Sequence, residues 1–258
     1  MITSKPNYYG TWTLFKKETF RFLKVYHQTI LSPVINALLL LAIFSLSLGK
    51  NLADINGVPF QEFMAPGLIM MVAMQNAFAN SSSSFVMGKI LGHIIDYLIP
   101  PISSNELLIA MIGGAVLRGV LVGLVCLIAI SFFVPISLHH ALYGIFCILA
   151  ATMFLGLLGM LCGVISETFD HMSAITSYLI TPLTFLSGTF YSATNLPEFW
   201  QKVAHANPFF YMIDGFRYAL TDHMDGNIKI AIIMMISVNV ILWIVIAKML
   251  KHGYRIKH

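Results

Sequence analysis

Long apolar stretches constrain what this sequence can fold into more than any other feature. A helix that rises 1.5 Å per residue needs about 20 apolar residues to cross a hydrocarbon core of about 30 Å. Several stretches of the chain reach or approach this length. We therefore predict six transmembrane helices, at Ile30–Leu48, Phe63–Val86, Leu107–Val134, Ala141–Ile165, Met172–Tyr191 and Ile228–Leu250.

Composition places the whole chain in the membrane. Hydrophobic residues make up 58% of the 258 residues and charged residues only 10%, whereas a soluble domain carries about 25% charged residues. We expect one all-α integral membrane domain over residues 1–258, because the chain is too short to add a sizeable soluble domain. Its parts would be an amphipathic segment (1–29), five spans (30–191), an outer segment (192–227) and a sixth span with a tail (228–258).

The distribution of Lys and Arg predicts the orientation. Ten of these residues fall in the N-terminal segment, the C-terminal tail and the loop after the second span, and four fall in the opposite loops. Positive charge concentrates on the cytoplasmic side of membrane proteins. Both termini are therefore expected in the cytoplasm, and the charged, aromatic N-terminus does not resemble a cleavable signal peptide.

The segment before the first span has the pattern of a helix lying in the membrane interface. Its basic residues Lys17, Arg21 and Lys24 fall opposite an apolar stripe. It can be a positive anchor that fixes topology or a helix that touches a partner. The predicted stripe consists of Trp12, Phe15, Thr19, Phe22, Leu23 and Tyr26.

A second cytoplasmic element is expected between the second and third spans. Proline removes a backbone donor and disfavours helix before it, so Pro100 and Pro101 predict an elbow. Ser103 and Glu106 have the spacing of a capping box at the start of the third span. The pattern fits either a structured helix–elbow–helix or an ordinary loop. The polar residues before the elbow are Lys89, Gly92, His93 and Asp96.

Polar groups within the spans are few. A charge such as Arg118 is costly in the middle of a span and should face protein or water. Its expected partners are Glu106, Glu167 or Asp170. The run Ser81–Ser84 fits either close helix packing or a polar lining.

The outer segment predicts two short amphipathic helices that re-enter the membrane as a lid. Asn195 is the expected cap of the first, with Pro197 in its first turn. Asn207 is the expected cap of the second, and Pro208 its first residue. Asp214 and Arg217 are three residues apart and are expected to pair.

Sequence motifs for catalysis are missing. The chain contains no G-x-x-x-x-G-K-[ST], no H-E-x-x-H and no G-x-S-x-G, and we predict no catalytic residues and no metal site. His139 and His140 have no carboxylate nearby in sequence and are expected to lie at the interface. Positive charge sits at the ends of an apolar chain, which argues against nucleic-acid binding. Two alternatives stay open: an intramembrane enzyme using His205, His223 and Asp225, and a passive channel or scaffold.

Two blocks of sequence resemble the membrane subunits of ABC type-2 exporters. The first is KILGHIIDYLIPPISSNELLIAMIGGAVLRG, residues 89–119. The second is PLTFLSGTFYSATNLPEFWQKVAHANPFFYMIDGFRYAL, residues 182–220, which matches the family pattern F-L-S-G-x-F, L-P, N-P and D-x-x-R. Together with the basic helix and the six-span plan, the resemblance covers essentially the whole chain.

The resemblance implies a permease of the bacterial cytoplasmic (inner) membrane that exports drugs, lipids or lipid-linked glycans. Such subunits form dimers, usually homodimers, surrounded by membrane lipids and paired with two copies of an ABC ATPase. ATP and Mg²⁺ would bind on that partner, and the permease itself would bind no cofactor. The implied connecting helix carries Lys17, Arg21 and Lys24. The implied ATPase-coupling residues are Lys89, Gly92, His93, Asp96, Pro100, Pro101 and Glu106. The outer gate would contain Gly188, Phe190, Pro197, Pro208, Asp214 and Arg217.

Overall fold

A computed structural model describes residues 6–47, 54–55, 57–94, 96 and 101–254. Within these residues the fold is helical, apart from an isolated bridge between Ile55 and Val58. The α-helices are α1 (Tyr8–Leu23), α2 (Ser32–Ser47), α3 (Phe60–Ile90), α4 (Ser104–Ser131), α5 (Ala141–Ile165), α6 (Phe169–Ile175), α7 (Thr181–Phe185), α8 (Glu198–Ala206), α9 (Pro208–Thr221) and α10 (Ile228–His252). Two π-helical stretches (His27–Leu31 and Thr176–Ile180) and a 3₁₀ turn (Ala193–Asn195) complete the described elements.

The 31-residue helix α3 forms the centre of the fold, between α4 and α5. It approaches α5 closely at Gly159, which has no side chain. A Cβ at this position would overlap the carbonyl oxygen of Phe78 and the hydroxyl of Ser81. The Ser81 hydroxyl donates across this seam to the carbonyl oxygen of Gly156, at 2.6 Å. Small residues that bring helices together are typical of membrane bundles. The structure thus favours the packing interpretation of this serine.

Helices from both ends of the chain meet at one end of the bundle. One apolar cluster joins Leu14 of α1, Phe85 of α3, Leu107 of α4 and Leu250 of α10. At the opposite end α9 packs against α3 and α5, with Phe209 edge-to-face against Phe154. The first and last helices therefore have their terminal ends on the same side.

The described residues contain four helices that are long and apolar enough to cross a membrane: His27–Leu46, Ser104–Ser131, Ala141–Ile165 and Ile228–His252. The second predicted span falls on α3, which is long enough and mostly buried but carries several polar residues in its second half, among them Gln75, Asn76 and Asn80. The fifth falls on the continuous helix from 169 to 185, which ends six residues before the predicted end at Tyr191. Length and composition thus support four spans, and the end predicted for the first, Leu48, lies outside the described residues.

Helix boundaries follow the capping signals only in part. The capping box of Ser103 and Glu106 is confirmed, and α4 begins at Ser104, three residues before the predicted start of the span at Leu107. Asn207 is confirmed as the cap of α9, because its side chain accepts from the N–H of Phe209. The cap predicted for α8 is wrong: Asn195 closes the 3₁₀ turn, and the helix begins after Pro197.

The face of α1 that packs on the protein differs from the predicted apolar stripe. Its buried residues are Leu14, Glu18 and Phe22, whereas Trp12 and Tyr26 are about half exposed. Gly114 allows this approach, since a Cβ there would lie 2.8 Å from that of Glu18. The exposed aromatic residues are left on the side available to lipid.

Candidate functional site

A buried ion pair occupies the end of the bundle where α9 packs against α3 and α5. Arg217 and Asp214 of α9 are both fully buried, with Nη1 and Oδ1 at 3.4 Å. The predicted pairing of these residues is confirmed. Arg217 also donates through Nε to the carbonyl oxygen of Phe63 at 3.2 Å and through Nη2 to that of Gly188. Its guanidinium lies 3.8 Å from the centre of the Phe63 ring. One side chain therefore joins α9, the start of α3 and the turn after α7.

The Asp214 carboxylate holds the loop between α9 and α10. It accepts the backbone N–H of Asp225 at 3.1 Å and of Gly226 at 2.8 Å. Burial raises the pKa of the Asp214 carboxyl, while Arg217 and the two N–H donors act in the opposite direction. The carboxylate is thus compensated by one cation and two backbone dipoles.

A second carboxylate extends this network. Asp225 accepts from the Ser192 hydroxyl at 2.7 Å and from the N–H of Ala193 at 2.9 Å. Its other oxygen lies 3.0 Å from Nε2 of His223. In a catalytic triad the imidazole stands between the hydroxyl and the carboxylate. Here the carboxylate stands between them, so the enzyme alternative gains no nucleophile from this site.

The remaining residues predicted for the outer gate lie in the turn before α8 and at the starts of α8 and α9. Gly188 has a positive φ of 75°, a conformation in which glycine is favoured. Phe190 packs against Phe185 and against Phe44 of α2, with ring centres 5.7 and 5.1 Å away. Pro197 is the N-cap of α8 and Pro208 the first residue of α9. The network holds Gly188, Asp214 and Arg217 together, and Phe190 fixes the turn to α2.

At the other end of the bundle Lys89 is engaged with the C-terminus of α5. Its ammonium donates to the carbonyl oxygens of Val164 and Ser166, the second at 2.9 Å. A lysine is favourable at the negative end of a helix dipole. The sequence suggested contact with a partner for Lys89, but the structure gives it a role in joining α3 to α5.

The other predicted coupling residues differ in their surroundings. Glu106 accepts from the N–H of Ser103 and from the N–H of Asn7, and so ties the start of α1 to the start of α4. His93 and Asp96 lie 3.5 Å apart and are both about two-thirds exposed. Gly92 and Pro101 are exposed as well, and Pro100 lies outside the described residues. The exposed surface near this end therefore includes the His93–Asp96 pair.

The basic face of α1 is divided between solvent and protein. Lys17 and Lys24 are exposed. Arg21 turns inward, and its Nη2 lies 3.0 Å from the buried Glu18 carboxylate. The same nitrogen donates to the backbone and side-chain oxygens of Asn80 at 2.8 and 3.0 Å. Glu18 also accepts from the Ser84 hydroxyl at 2.8 Å, so α1 is docked on α3 by a polar node.

Sequence reasoning missed Glu18 and Asn80. The available signal was local: Leu14 and Phe22 lie four residues on either side of Glu18, which places its carboxylate on an apolar face. A carboxylate there needs a buried donor. The Ser84 hydroxyl that donates to Glu18 is 66 residues away along the chain, and Asn80, which accepts from Arg21, is 59 residues from that arginine. No sequence spacing points to either contact.

One expectation about an isolated polar residue is wrong, and one histidine gains a partner that sequence proximity did not indicate. Arg118 contacts none of the carboxylates proposed for it; its Nη2 donates to Asn76 of α3 at 3.0 Å. His140 has no carboxylate nearby in sequence, but its Nε2 lies 2.9 Å from Asp222, which is 82 residues away along the chain. Within the described residues, no three His, Cys, Asp or Glu side chains gather as metal ligands.

The helical fold and its four apolar spans define an integral membrane protein, and comparison with known sequences narrows the class. The chain belongs to the ABC-2 type transporter family, whose sequence model matches residues 9–221. Membership implies partnership with an ATPase in an ABC transporter. The chain is therefore a transport permease and not an enzyme.

Individual relatives cover most of the chain. It is 35% identical to the inner membrane transport permease YadH of Escherichia coli K12 over 240 residues. The matched region covers 92% of this chain and 94% of the relative. Nodulation protein J of Sinorhizobium fredii is 22% identical over 72% of this chain and 71% of its own. Nodulation protein J of Azorhizobium caulinodans is 23% identical over a region that covers 80% of this chain and 82% of the relative.

Proposed function

We propose that this chain is the permease subunit of an ATP-driven exporter of the bacterial inner membrane. The cargo is hydrophobic or amphipathic, of the drug, lipid or lipid-linked glycan class, and moves outward. A separate ABC ATPase, present in two copies, binds ATP and Mg²⁺, and the permease carries no cofactor. The relative named as an inner membrane transport permease supports the location.

The proposed topology has six spans and cytoplasmic termini. Helix α3 is about 46 Å long at 1.5 Å per residue, and its polar side chains are mostly buried in the bundle, which makes a polar span acceptable. The helix from 169 to 185 forms the fifth span together with the turn that follows it. Helices α8 and α9 then form the re-entrant outer segment. The common position of α1 and the end of α10 supports an even number of crossings.

The proposed coupling face consists of α1 and the segment from Lys89 to Glu106. His93 and Asp96 offer exposed polar groups to the ATPase. Lys89 and Glu106 link this segment to α5 and to α1, so that a displacement of the segment is passed to the bundle. At the far end, Asp214 and Arg217 hold the outer segment that opens toward the outside. Movement of one part of a bundle against another is a common basis of gating.

A second copy of the chain completes the proposed pathway. Helix α2 leaves an apolar stripe exposed along its length, of which Leu39 is 55% and Ile43 57% exposed. Such a stripe faces lipid or a neighbouring helix. In the proposed homodimer, each copy pairs with one ATPase. The stripe consists of Ile35, Leu39, Ile43 and Leu46.

The observation that carries this proposal is the double attachment of the cytoplasmic elements: Lys89 on the carbonyls of α5, and the Glu18–Arg21 node on α3. These contacts give an ATPase at that face a mechanical connection to the spans. The family supports the ATPase as the source of energy.

Transport assays test the function. The chain is co-expressed with candidate ABC ATPases from its genome, and ATP-dependent uptake of fluorescent amphipathic dyes is measured in inverted vesicles. Uptake should require ATP and should stop when the Walker A lysine of the ATPase is replaced. Uptake that continues without ATP hydrolysis would instead indicate a passive channel.

Single cysteines test the topology in a background that lacks the native cysteines. Lys24→Cys should be labelled by an impermeant reagent only after cells are opened, and Phe199→Cys in intact spheroplasts. Both positions are exposed. The reverse pattern would exclude the proposed orientation.

A further inference from the structure

Arg118 is a partly buried cation whose Nε atom is buried without an acceptor. It lies about 21 Å along α4 from the start of the helix, at 1.5 Å per residue. Its Nη2 donates to Asn76, but its Nε is buried without an acceptor. No carboxylate among the described residues forms an ion pair with it. A charge at this depth is costly unless a counter-charge or acceptor reaches it.

A second unpartnered donor lies in the same seam between α3 and α4. Asn80 is fully buried and lies one helical turn from Asn76 on α3. Its oxygen accepts from Arg21, whereas its amide nitrogen has no acceptor. That nitrogen would lie 3.7 Å from a Cβ at Gly114, one turn before Arg118 on α4. Both vacant donors therefore belong to the α3–α4 seam beside α1.

The charges of the seam do not cancel. Glu18 neutralises Arg21 at 3.0 Å, so the positive charge of Arg118 remains. The two unpartnered atoms, Nε of Arg118 and Nδ2 of Asn80, can only donate hydrogen bonds. If the α3–α4 seam served only to pack the two helices together, apolar or neutral side chains would suffice there. A positive charge with vacant donors specifies a negatively charged acceptor.

We propose that this seam, between Arg118 and Asn80, binds the phosphate or carboxylate group of an amphipathic molecule in the membrane. An arginine is well suited to such groups because its planar donors match their oxygens. An inorganic ion would have to leave water to reach this depth, whereas the acidic group of an amphipath arrives with its chain in the bilayer. This site does not depend on the direction or energy source of transport.

Binding of defined probes to the purified full-length permease in phosphatidylcholine nanodiscs tests the site. The probes are dodecyl phosphate, dodecanoate, zwitterionic dodecylphosphocholine and inorganic phosphate. The expected result is saturable binding of the first two and weak binding of the others. Arg118→Gln should weaken the affinity for dodecyl phosphate about tenfold or more. Lys248→Gln removes an exposed positive charge from α10 and should leave it unchanged.

Asn80→Asp provides a variant that keeps the fold. It retains the oxygen that accepts from Arg21 and converts only the vacant donor into a charged acceptor. It should raise the melting temperature and abolish dodecyl phosphate binding, because the protein then supplies its own anion. Equal binding by wild type, Arg118→Gln and Asn80→Asp would overturn the site. Equal affinity for inorganic phosphate would overturn the amphipathic ligand and assign the same donors to a free oxyanion.

Discussion

Glu18 and Arg21 form a 3.0 Å ion pair on α1, and the carboxylate of the pair is completely buried against α3. A surface helix that only rested on lipid would have no reason to bury a carboxylate. The two residues fix the rotation of α1 about its axis. Arg21 donates to Asn80 of α3, and Glu18 accepts from Ser84 of the same helix. Helices α1 and α3 are thereby joined through polar contacts of defined geometry.

Replacing Glu18 with Gln should destabilise the protein. The change leaves Arg21 without its counter-charge, although water reaches this side chain, which is 30% exposed. We expect a loss of about 1–2 kcal/mol, seen as a lower melting temperature by fluorescence-detected size exclusion. Glu198→Gln, in an exposed acid of α8, is the control. Equal melting temperatures for the two variants would contradict a docking role for Glu18.

Arg217 should be the most sensitive residue of the outer segment. Arg217→Ala leaves a buried Asp214 charge and removes the donor from the carbonyls of Phe63 and Gly188. Breaking a buried pair in this way costs about 3–5 kcal/mol. Because both residues belong to one network, the double variant Asp214→Ala/Arg217→Ala should lose less stability than the sum of the single losses. Additive losses in a thermal or denaturant melt would show that the two residues act independently.

Lys89 and the exposed pair His93 and Asp96 should separate stability from coupling. Lys89→Met removes the cation from the C-terminus of α5 and should lower stability by about 0.5–2 kcal/mol. His93→Ala and Asp96→Ala should leave the melting temperature unchanged, since both side chains are exposed. In a reconstituted complex they should reduce the transport obtained per ATP hydrolysed. Unchanged transport and hydrolysis in both variants would remove these residues from the coupling face.

Gly159 should tolerate no side chain. In Gly159→Ala the new methyl group would overlap the carbonyl oxygen of Phe78, so α3 and α5 would have to separate. Overpacking of this kind costs about 1–3 kcal/mol. Gly156→Ala is the matched control on the same helix, because its methyl group would lie 3.2 Å from Ala115 and needs only a small adjustment. A yield of folded protein from Gly159→Ala equal to that of the control would contradict the close approach of these helices.

Local contacts were predictable from the sequence, and contacts between distant segments were not. The capping box of Ser103 and Glu106 and the pair of Asp214 and Arg217 join residues three apart, where helix geometry alone brings side chains together. Arg118 and Asn76 are 42 residues apart. Which face of α3 meets α4 depends on packing across the bundle, and sequence spacing does not contain that information.

The predicted spans match the observed helices to different degrees. Hydrophobic length identified α5 with its observed bounds, Ala141–Ile165, because lipid and packing select for the same apolar run. The helix from 169 to 185 includes a π-helical stretch and stops before Ser187 and Gly188. The carbonyl oxygen of Gly188 accepts a hydrogen bond from Arg217. The apolar run predicted as the fifth span, Met172–Tyr191, is therefore helical only as far as Phe185, and its last six residues form a turn.

Arg217 binds main-chain oxygens at Phe63 and Gly188, and Asp214 binds main-chain nitrogens at Asp225 and Gly226. Every residue type except proline can offer such a nitrogen, and every residue type can offer such an oxygen. The two charged side chains therefore read the backbone path, while Asp225 is held in addition by its carboxylate bonds to Ser192 and Ala193. Gly226 is held by its lack of a Cβ, which would lie 3.1 Å from Asp214 Oδ2. Two neighbouring side chains of one helix thus fix the main chain of three separate segments: the start of α3, the turn after α7 and the loop before α10.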